Sequence, residues 1–209
     1  KVPTLSSVLG TVSGTSALAA GLSDFVILGQ QRGRMFMRSP YVIPEIMSGE
    51  VDEDTLGGAT HHASRSGVAC MVSESESGAF DIAAEILSFL PDHTMAEPPR
   101  LSTGDKWKRK CKGMGKLVPL DSDRPYDMRR VIAEVVDDKR FLELFPSYAE
   151  NVVVGFARLD GVPVGVVGNQ PSVLAGCLDI DASVKAARFI RTCDCFNIPL
   201  LTFVDVPPP

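Results

Sequence analysis

Gly10-Thr11-Val12-Ser13-Gly14-Thr15-Ser16 is a run of small residues that leads into a short helical segment, Ala17–Gly21. Small residues let the backbone come close to a ligand. The N–H groups at a helix start are unpaired and point at negative charge. Together they suit an oxyanion, such as the enolate formed when a thioester loses its alpha proton. A plain turn is the competing reading.

Other candidates are weaker. His61-His62 has no third ligand at a recognisable spacing, so a structural or polar surface role is expected. Cys193 and Cys195 form a C-x-C pair with no second pair or His to complete a tetrahedral set, and read as two free thiols on different faces of a helix. The run Asp105-Lys106-Trp107-Lys108-Arg109-Lys110-Cys111-Lys112 can meet an anion such as the phosphates of coenzyme A, or be a solvated linker. No G-x-S-x-G, P-loop or dinucleotide fingerprint is present.

These residues need elements to hold them. Val2–Leu9 reads as a buried strand, Phe25–Leu28 as a second and Arg34–Met37 as a third. Glu53–Leu56 begins a short helix broken at Gly57-Gly58. Ala79–Leu90 reads as an amphipathic helix with Phe80, Ala83, Ile86, Leu87 and Leu90 on one face, ended by Pro91. Pro91–Pro125 is rich in proline and reads as a linker. Asp127–Val136 has Met128, Val131, Ile132, Val135 and Val136 at helical spacing. Val152–Arg158 and Val162–Val167 flank Leu159-Asp160-Gly161, a strong hairpin signal. Asp181–Cys193 reads as a helix with Val184, Ala187, Ile190 and Cys193 inward. Pro199–Asp205 is a further strand, giving a βαβ unit with parallel pairing. Both halves are therefore α/β.

With 209 residues the chain holds one domain or two small ones. Its net charge of −5 argues against a dedicated nucleic-acid binder. No apolar run reaches the roughly 18–20 residues that a membrane span needs. Five cysteines without framework spacing suggest reduced thiols inside a cell. Lys1 leads straight into an apolar segment and the chain stops at Val206-Pro207-Pro208-Pro209. A fragment of a longer protein, or a chain with closed gaps, is expected.

A family resemblance rests on ordered blocks. They are Gly155-Phe156-Ala157-Arg158-Leu159-Asp160-Gly161, Val164-Gly165-Val166-Val167-Gly168-Asn169-Gln170-Pro171, Gly176-Cys177-Leu178-Asp179-Ile180-Asp181, Lys185-Ala186-Ala187-Arg188-Phe189-Ile190-Arg191, Phe196-Asn197-Ile198-Pro199-Leu200 and Val204-Asp205-Val206-Pro207. Upstream, Leu22-Ser23-Asp24-Phe25, Met35-Phe36, Leu56-Gly57-Gly58-Ala59 with His62, Ser66-Gly67-Val68-Ala69 and Pro125-Tyr126-Asp127-Met128-Arg129 also match. In order and spacing the chain resembles the carboxyltransferase (beta) subunits of biotin-dependent propionyl-CoA and other acyl-CoA carboxylases. The resemblance covers nearly everything except the linker.

The resemblance implies an α/β fold of two crotonase-like (ClpP/crotonase) subdomains, both incomplete in this chain. Residues 1–95 would be the C-terminal part of the first, 96–125 the linker, and 126–209 the N-terminal part of the second. The implied activity moves a carboxyl group from carboxybiotin to the alpha carbon of a short acyl-CoA, propionyl-CoA favoured. The family loop that holds the thioester oxygen usually reads Gly-Pro-Cys-Ala-Gly-Gly; its counterpart here is Gly10 to Thr15. Gly14 and Thr15 are the implied oxyanion donors, and Ser13, Ser16 and Ala17 the implied substrate contacts. Three departures stand out. Thr15 replaces a glycine, Leu18-Ala19-Ala20 replaces Tyr-Ser-Pro, and Arg38-Ser39-Pro40 replaces Thr-Gly-Pro. They point to a changed substrate or to a non-catalytic paralogue that only builds the assembly; a biotin-dependent decarboxylase or transcarboxylase, which uses the same enolate logic, is the further alternative.

The family's biotin-side oxyanion loop lies beyond Val204-Asp205-Val206-Pro207, where this chain has Pro208 in place of Gly. With no biotin attachment motif here, biotin would come on a biotin carboxylase/biotin carrier partner, with acyl-CoA as substrate and no metal. Implied partners are that subunit and further copies of the chain in a hexamer, with no nucleic acid and no membrane. The implied location is intracellular, the cytoplasm in a bacterium or the mitochondrial matrix in a eukaryote.

Overall fold

The structure is a computed structural model and describes residues 1–39, 52–106, 108–121 and 124–206. The chain divides into two compact units that share no sheet. One comprises Pro3–Leu87 with Phe145–Tyr148, and the other Lys1–Val2, Ser88–Leu144 and Ala149–Pro209. Residues 96–125, expected as a linker, fall in the second unit. No helix of the described residues is long and apolar enough to cross a membrane.

The first unit winds through repeated strand–strand–helix turns. Strand β1 (Leu5–Val8), strand β2 (Thr11–Ser13) and helix α1 (Thr15–Gly21) form the first turn. Strands β3 (Phe25–Gly29) and β4 (Arg34–Phe36) begin the second, followed by helices α2 (Glu53–Gly57) and α3 (Ala59–Ser64). Strand β5 (Met71–Ser73) and helix α4 (Glu76–Leu87) complete the unit. Among the described residues its strands pair in parallel, in a β1-β3-β5 sheet and a β2-β4 pair, and a single antiparallel bridge joins Arg34 to Gly58. Strand β3 is central, and its run Phe25-Val26-Ile27-Leu28 is buried on both faces, as a parallel strand between layers requires. Val8, Ala17, Val26, Leu28, Met35, Ala59 and Ala69 form the core.

Three expectations change here. The strand expected over Val2–Leu9 shrinks to β1, with only Val8 buried, because β1 is an edge of its sheet. Residues Thr11–Ser13, expected within a loop, pair with Arg34–Phe36. Helix α4 starts and ends three residues earlier than expected, and Ala79 and Ile86 face inward while Phe80 and Leu87 are exposed. Both stripes have helical spacing, and the small Ala79 lets the helix lie close to the sheet.

The second unit is a four-stranded sheet, β6-β7-β8-β9, of Leu142–Leu144, Val152–Leu159, Val162–Asn169 and Leu200–Phe203. Strands β7 and β8 form the expected hairpin, in register from Val152↔Asn169 to Leu159↔Val162. Its two-residue turn has Asp160 at φ 52° and Gly161 at φ 76°, the left-handed pair that matches strand twist. The Asp137 carboxylate accepts from both turn N–H groups, at 3.1 and 2.7 Å. Before the sheet come a single turn, α5 (Met114–Leu117), and helix α6 (Met128–Val135). Helix α7 (Ile180–Cys195) crosses from β8 to β9, and those strands are parallel, as expected of a βαβ unit.

Helix α6 packs Met128, Val131 and Ile132 against Val153, Ala157, Val164 and Val166. A second cluster stacks Phe156 on Phe89 and Phe189, with ring centroids 5.4 and 5.2 Å apart. Asp127 and Asp179 cap α6 and α7, accepting from Arg129 N at 3.0 Å and Ala182 N at 2.8 Å. The inward face of α7 differs from expectation. Ala182, Lys185, Phe189 and Cys193 are buried, whereas Val184, Ala187 and Ile190 are exposed. The face turns because Lys185, a residue that reads as solvent-facing, is 3% exposed and donates to Val152 O at 2.7 Å and Ala149 O at 3.2 Å.

Candidate oxyanion site

Strand β2 and helix α1 meet at Gly14. The residue sits at φ 60° and ψ −129°, a conformation that suits glycine and strains other L-residues. Its N–H donates to Phe36 O at 3.0 Å, extending the β2-β4 ladder by one bond. That hydrogen bond occupies the donor, so Gly14 shapes the turn rather than offering its N–H to a ligand. Its carbonyl accepts from Leu18 N at 3.0 Å, the first bond of α1. The N–H groups of Thr15, Ser16 and Ala17 therefore lie in the first turn, beyond the intrahelical ladder.

Thr15 is helical, and the positive φ falls on Gly14 instead. The side chain in place of the family's glycine thus brings no backbone strain at this position. Ser13, Thr15 and Ser16 are exposed. Ala17 differs: its side chain is 4% exposed and belongs to the core, so any contact it makes with a ligand runs through the backbone. No acidic residue stands in the first turn of α1 and no side chain caps it. A negative charge placed there meets no repulsion from the helix itself and the favourable end of its dipole.

The other candidates resolve differently. His62 bridges elements, with Nδ1 2.8 Å from Ser66 Oγ and Nε2 2.9 Å from Met35 O. Both ring nitrogens are thus engaged, which is the structural role expected. Cys193 is buried, and burial pushes its thiol up to about 12, while Cys195 is half-buried; both are free. The basic run is not a bare solvated linker. The Arg109 guanidinium donates to the carbonyls of Glu134, Val135 and Val136 at 2.7, 3.1 and 2.6 Å, closing the C-terminal end of α6. Asp105 pairs with it at 2.9 Å. The adjoining cleft of about 450 Å³ is lined by Arg109, Lys110, Lys112 and Lys139 together with Asp105, Glu134 and Asp138. Trp107 lies outside the described residues, as do Pro40 and the chain from Pro207 onward.

A polar network escaped the sequence reading. Gln170, fully buried, accepts from Met128 N at 3.0 Å and donates to Asp127 Oδ1 at 2.6 Å. Tyr126 OH donates to Asp205 Oδ2 at 2.7 Å. The available signal was Asn169-Gln170, an amide pair ending an otherwise apolar strand.

A family model described as the carboxyl transferase domain matches residues 1–208. The beta5 subunit of a biotin-dependent acetyl-/propionyl-coenzyme A carboxylase from Mycobacterium tuberculosis is 44% identical over 213 residues, covering 99% of this chain and 39% of the relative. The methylmalonyl-CoA decarboxylase subunit alpha of Veillonella parvula is 43% identical over 206 residues, covering 99% and 40%. A crystal structure of transcarboxylase 12S, a hexamer with methylmalonyl-coenzyme A and methylmalonic acid bound, superposes with a TM-score of 0.94 at 41% identity, covering 99% of this chain and 40% of that one. The chain thus spans about two fifths of the length of the relatives it matches.

Proposed function

The chain belongs to the carboxyl transferase domain family, and from that premise we propose that the protein containing it carboxylates a short acyl-CoA, propionyl-CoA favoured, through an enolate held at the start of α1. The observation that carries this reading is the turn at Gly14, which presents the first-turn N–H groups of an uncapped helix at an exposed surface. Thr15 N–H, with Ser16 N–H beside it, holds the thioester oxygen. The hydrogen bonds strengthen as that oxygen gains charge on loss of the alpha proton, which lowers the barrier. Gly14 sets the direction of these donors through its φ and its bond to Phe36 O. Ser13 and Ser16 flank the thioester, and Ala17 contributes backbone only. Carboxybiotin, brought on a partner's carrier domain, would supply the carboxyl group, and the biotin it leaves behind would take up the alpha proton.

Residues 1–95 are assigned to the acyl-CoA side, 126–209 to the biotin side, and 96–125 to the connection, one that Arg109 ties to α6. Support for two sides comes from the sheets: a three-stranded sheet and a two-stranded pair lie in the first unit and a four-stranded sheet in the second, with the units dividing at Leu87. The partners are a biotin carboxylase/biotin carrier subunit and further copies of the chain, and the hexamer of the transcarboxylase relative supports a hexamer here. The location is intracellular. A second reading, decarboxylation of a malonyl-type CoA thioester, gains support from the decarboxylase relative, whose identity of 43% nearly equals the 44% of the carboxylase. The same enolate serves both directions.

The test is the complete protein with its partner subunits, given labelled bicarbonate, ATP and propionyl-CoA. Label in the CoA product supports carboxylation. In a parallel assay given methylmalonyl-CoA alone, release of carbon dioxide to leave propionyl-CoA favours decarboxylation. Assembly with partner subunits but no turnover in either direction defeats the enzyme reading and leaves a structural paralogue.

A further inference from the structure

Strands β8 and β9 run parallel and end side by side, near Asn169 and Phe203. In open α/β sheets, ligands sit outside the carboxyl ends of such strands. At this edge, both departing segments are held by side chains. After β8, Leu174, Ala175 and Gly176 are all left-handed, with φ of 48°, 53° and 77°. Two successive L-residues stay in that region only when their surroundings hold them there. Asn169 Nδ2 donates to Gly176 O at 2.7 Å and Asn151 Nδ2 to Cys177 O at 2.7 Å, and both asparagines are buried.

The segment after β9 lies directly against this turn. A Cβ at Gly176 would stand 2.8 Å from Asp205 O, so only glycine lets the two backbones approach so closely. Tyr126 also holds Asp205, through its hydroxyl at 2.7 Å from Oδ2. Burial and the bond to Asp205 push the Tyr126 phenol up to about 12, so it stays a donor across the neutral range. Tyr126 is itself fixed, since its neighbour Asp127 caps α6 and accepts from buried Gln170.

We propose that the hydrogen bond from Tyr126 to Asp205, backed by the Gly176 turn, fixes the course of residues 204–206 after β9 and makes both residues positioning residues for the carboxyl transfer. The kinetic part rests on the proposed function, and the structural part does not.

The test uses the complete carboxyltransferase with its partner subunits, as wild type, Tyr126→Phe and Asp205→Asn. Four quantities are read: kcat and KM for propionyl-CoA, the melting temperature, and amide hydrogen exchange over 204–206. Tyr126→Phe is expected to speed exchange there about tenfold, the loss of one hydrogen bond to a charged acceptor. It should also lower kcat on the order of tenfold through misplacement, with KM within about twofold. Asp205→Asn keeps an acceptor oxygen and should retain most of kcat. Unchanged exchange over 204–206 in Tyr126→Phe overturns the proposal, as does a fall in kcat that only follows the unfolded fraction. If the wild-type assembly turns over no acyl-CoA, the carboxyl-transfer reading fails and the exchange comparison alone decides whether Tyr126 positions this segment.

Discussion

Replacing Gly14 by alanine separates a backbone torsion from packing. A Cβ built at this position meets nothing within 4 Å, so no clash contributes. What remains is the torsion, φ 60° with ψ −129°, which costs an L-residue about 1–3 kcal/mol. The chain can relieve it by rotating, but that breaks the 3.0 Å bond from Gly14 N to Phe36 O, worth about 1 kcal/mol net. At roughly 2–4 °C per kcal/mol for a chain of this size, Gly14→Ala should lower the melting temperature by about 3–10 °C. D-alanine at the same position is the control. For a D-residue these angles mirror the extended well of ordinary L-residues, so the strain vanishes and the unfolded chain loses freedom. Calorimetry on a semisynthetic protein should show it melting at or above the wild-type temperature. Equal destabilisation by both enantiomers, or none by L-alanine, would refute the reasoning.

Lys185 makes stability depend on pH. Burial lowers its pKa from 10.5 to about 8. Below about 8 both folded and unfolded chains hold the proton, and the burial cost is fully present. Between about 8 and 10.5 the folded state gives up the proton first, so stability rises with pH. Urea unfolding across that window should show this rise in the wild type and lose it in Lys185→Met; equal slopes would count against it. Arg109→Ala should cost about 2 kcal/mol, because it strips charge-assisted bonds from three carbonyls at the end of α6. Arg109→Lys should restore less than half, since an ammonium lacks the planar fork. A urea midpoint unchanged in Arg109→Ala would show that Arg109 does not tie residues 96–125 to α6.

Much of the fold was legible because it depends on local chemistry. Asp160-Gly161 between two apolar runs specifies the hairpin through its left-handed turn, and Asp127 heads the helix it caps; α7, expected from Asp181, starts at Ile180 behind its cap Asp179. What misled was long-range compensation. Lys185 reads as a solvent residue, yet carbonyls of Ala149 and Val152 make its burial tolerable, and this rotates the inward face of α7. Strand β2 is only three residues of mixed small character, and it exists because β4 is there to pair with it. At the candidate site, small residues ahead of a helix were readable in sequence. That Gly14 spends its N–H on Phe36 was not, because the acceptor is 22 residues away in the chain. The Tyr126–Asp205 bond joins residues 79 apart and left no local trace.

The most direct test of the central claim is kcat for propionyl-CoA carboxylation by the complete protein carrying Thr15→Pro. Proline is well accommodated at the first position of a helix, where its fixed φ fits and the missing N–H has no intrahelical partner. The substitution therefore removes one donor while leaving α1 in place. If Thr15 N–H holds the enolate oxygen, kcat should fall by about 100-fold or more, as for a removed oxyanion donor, with the melting temperature within about 3 °C of wild type. Wild-type kcat in a folded Thr15→Pro protein would contradict the account.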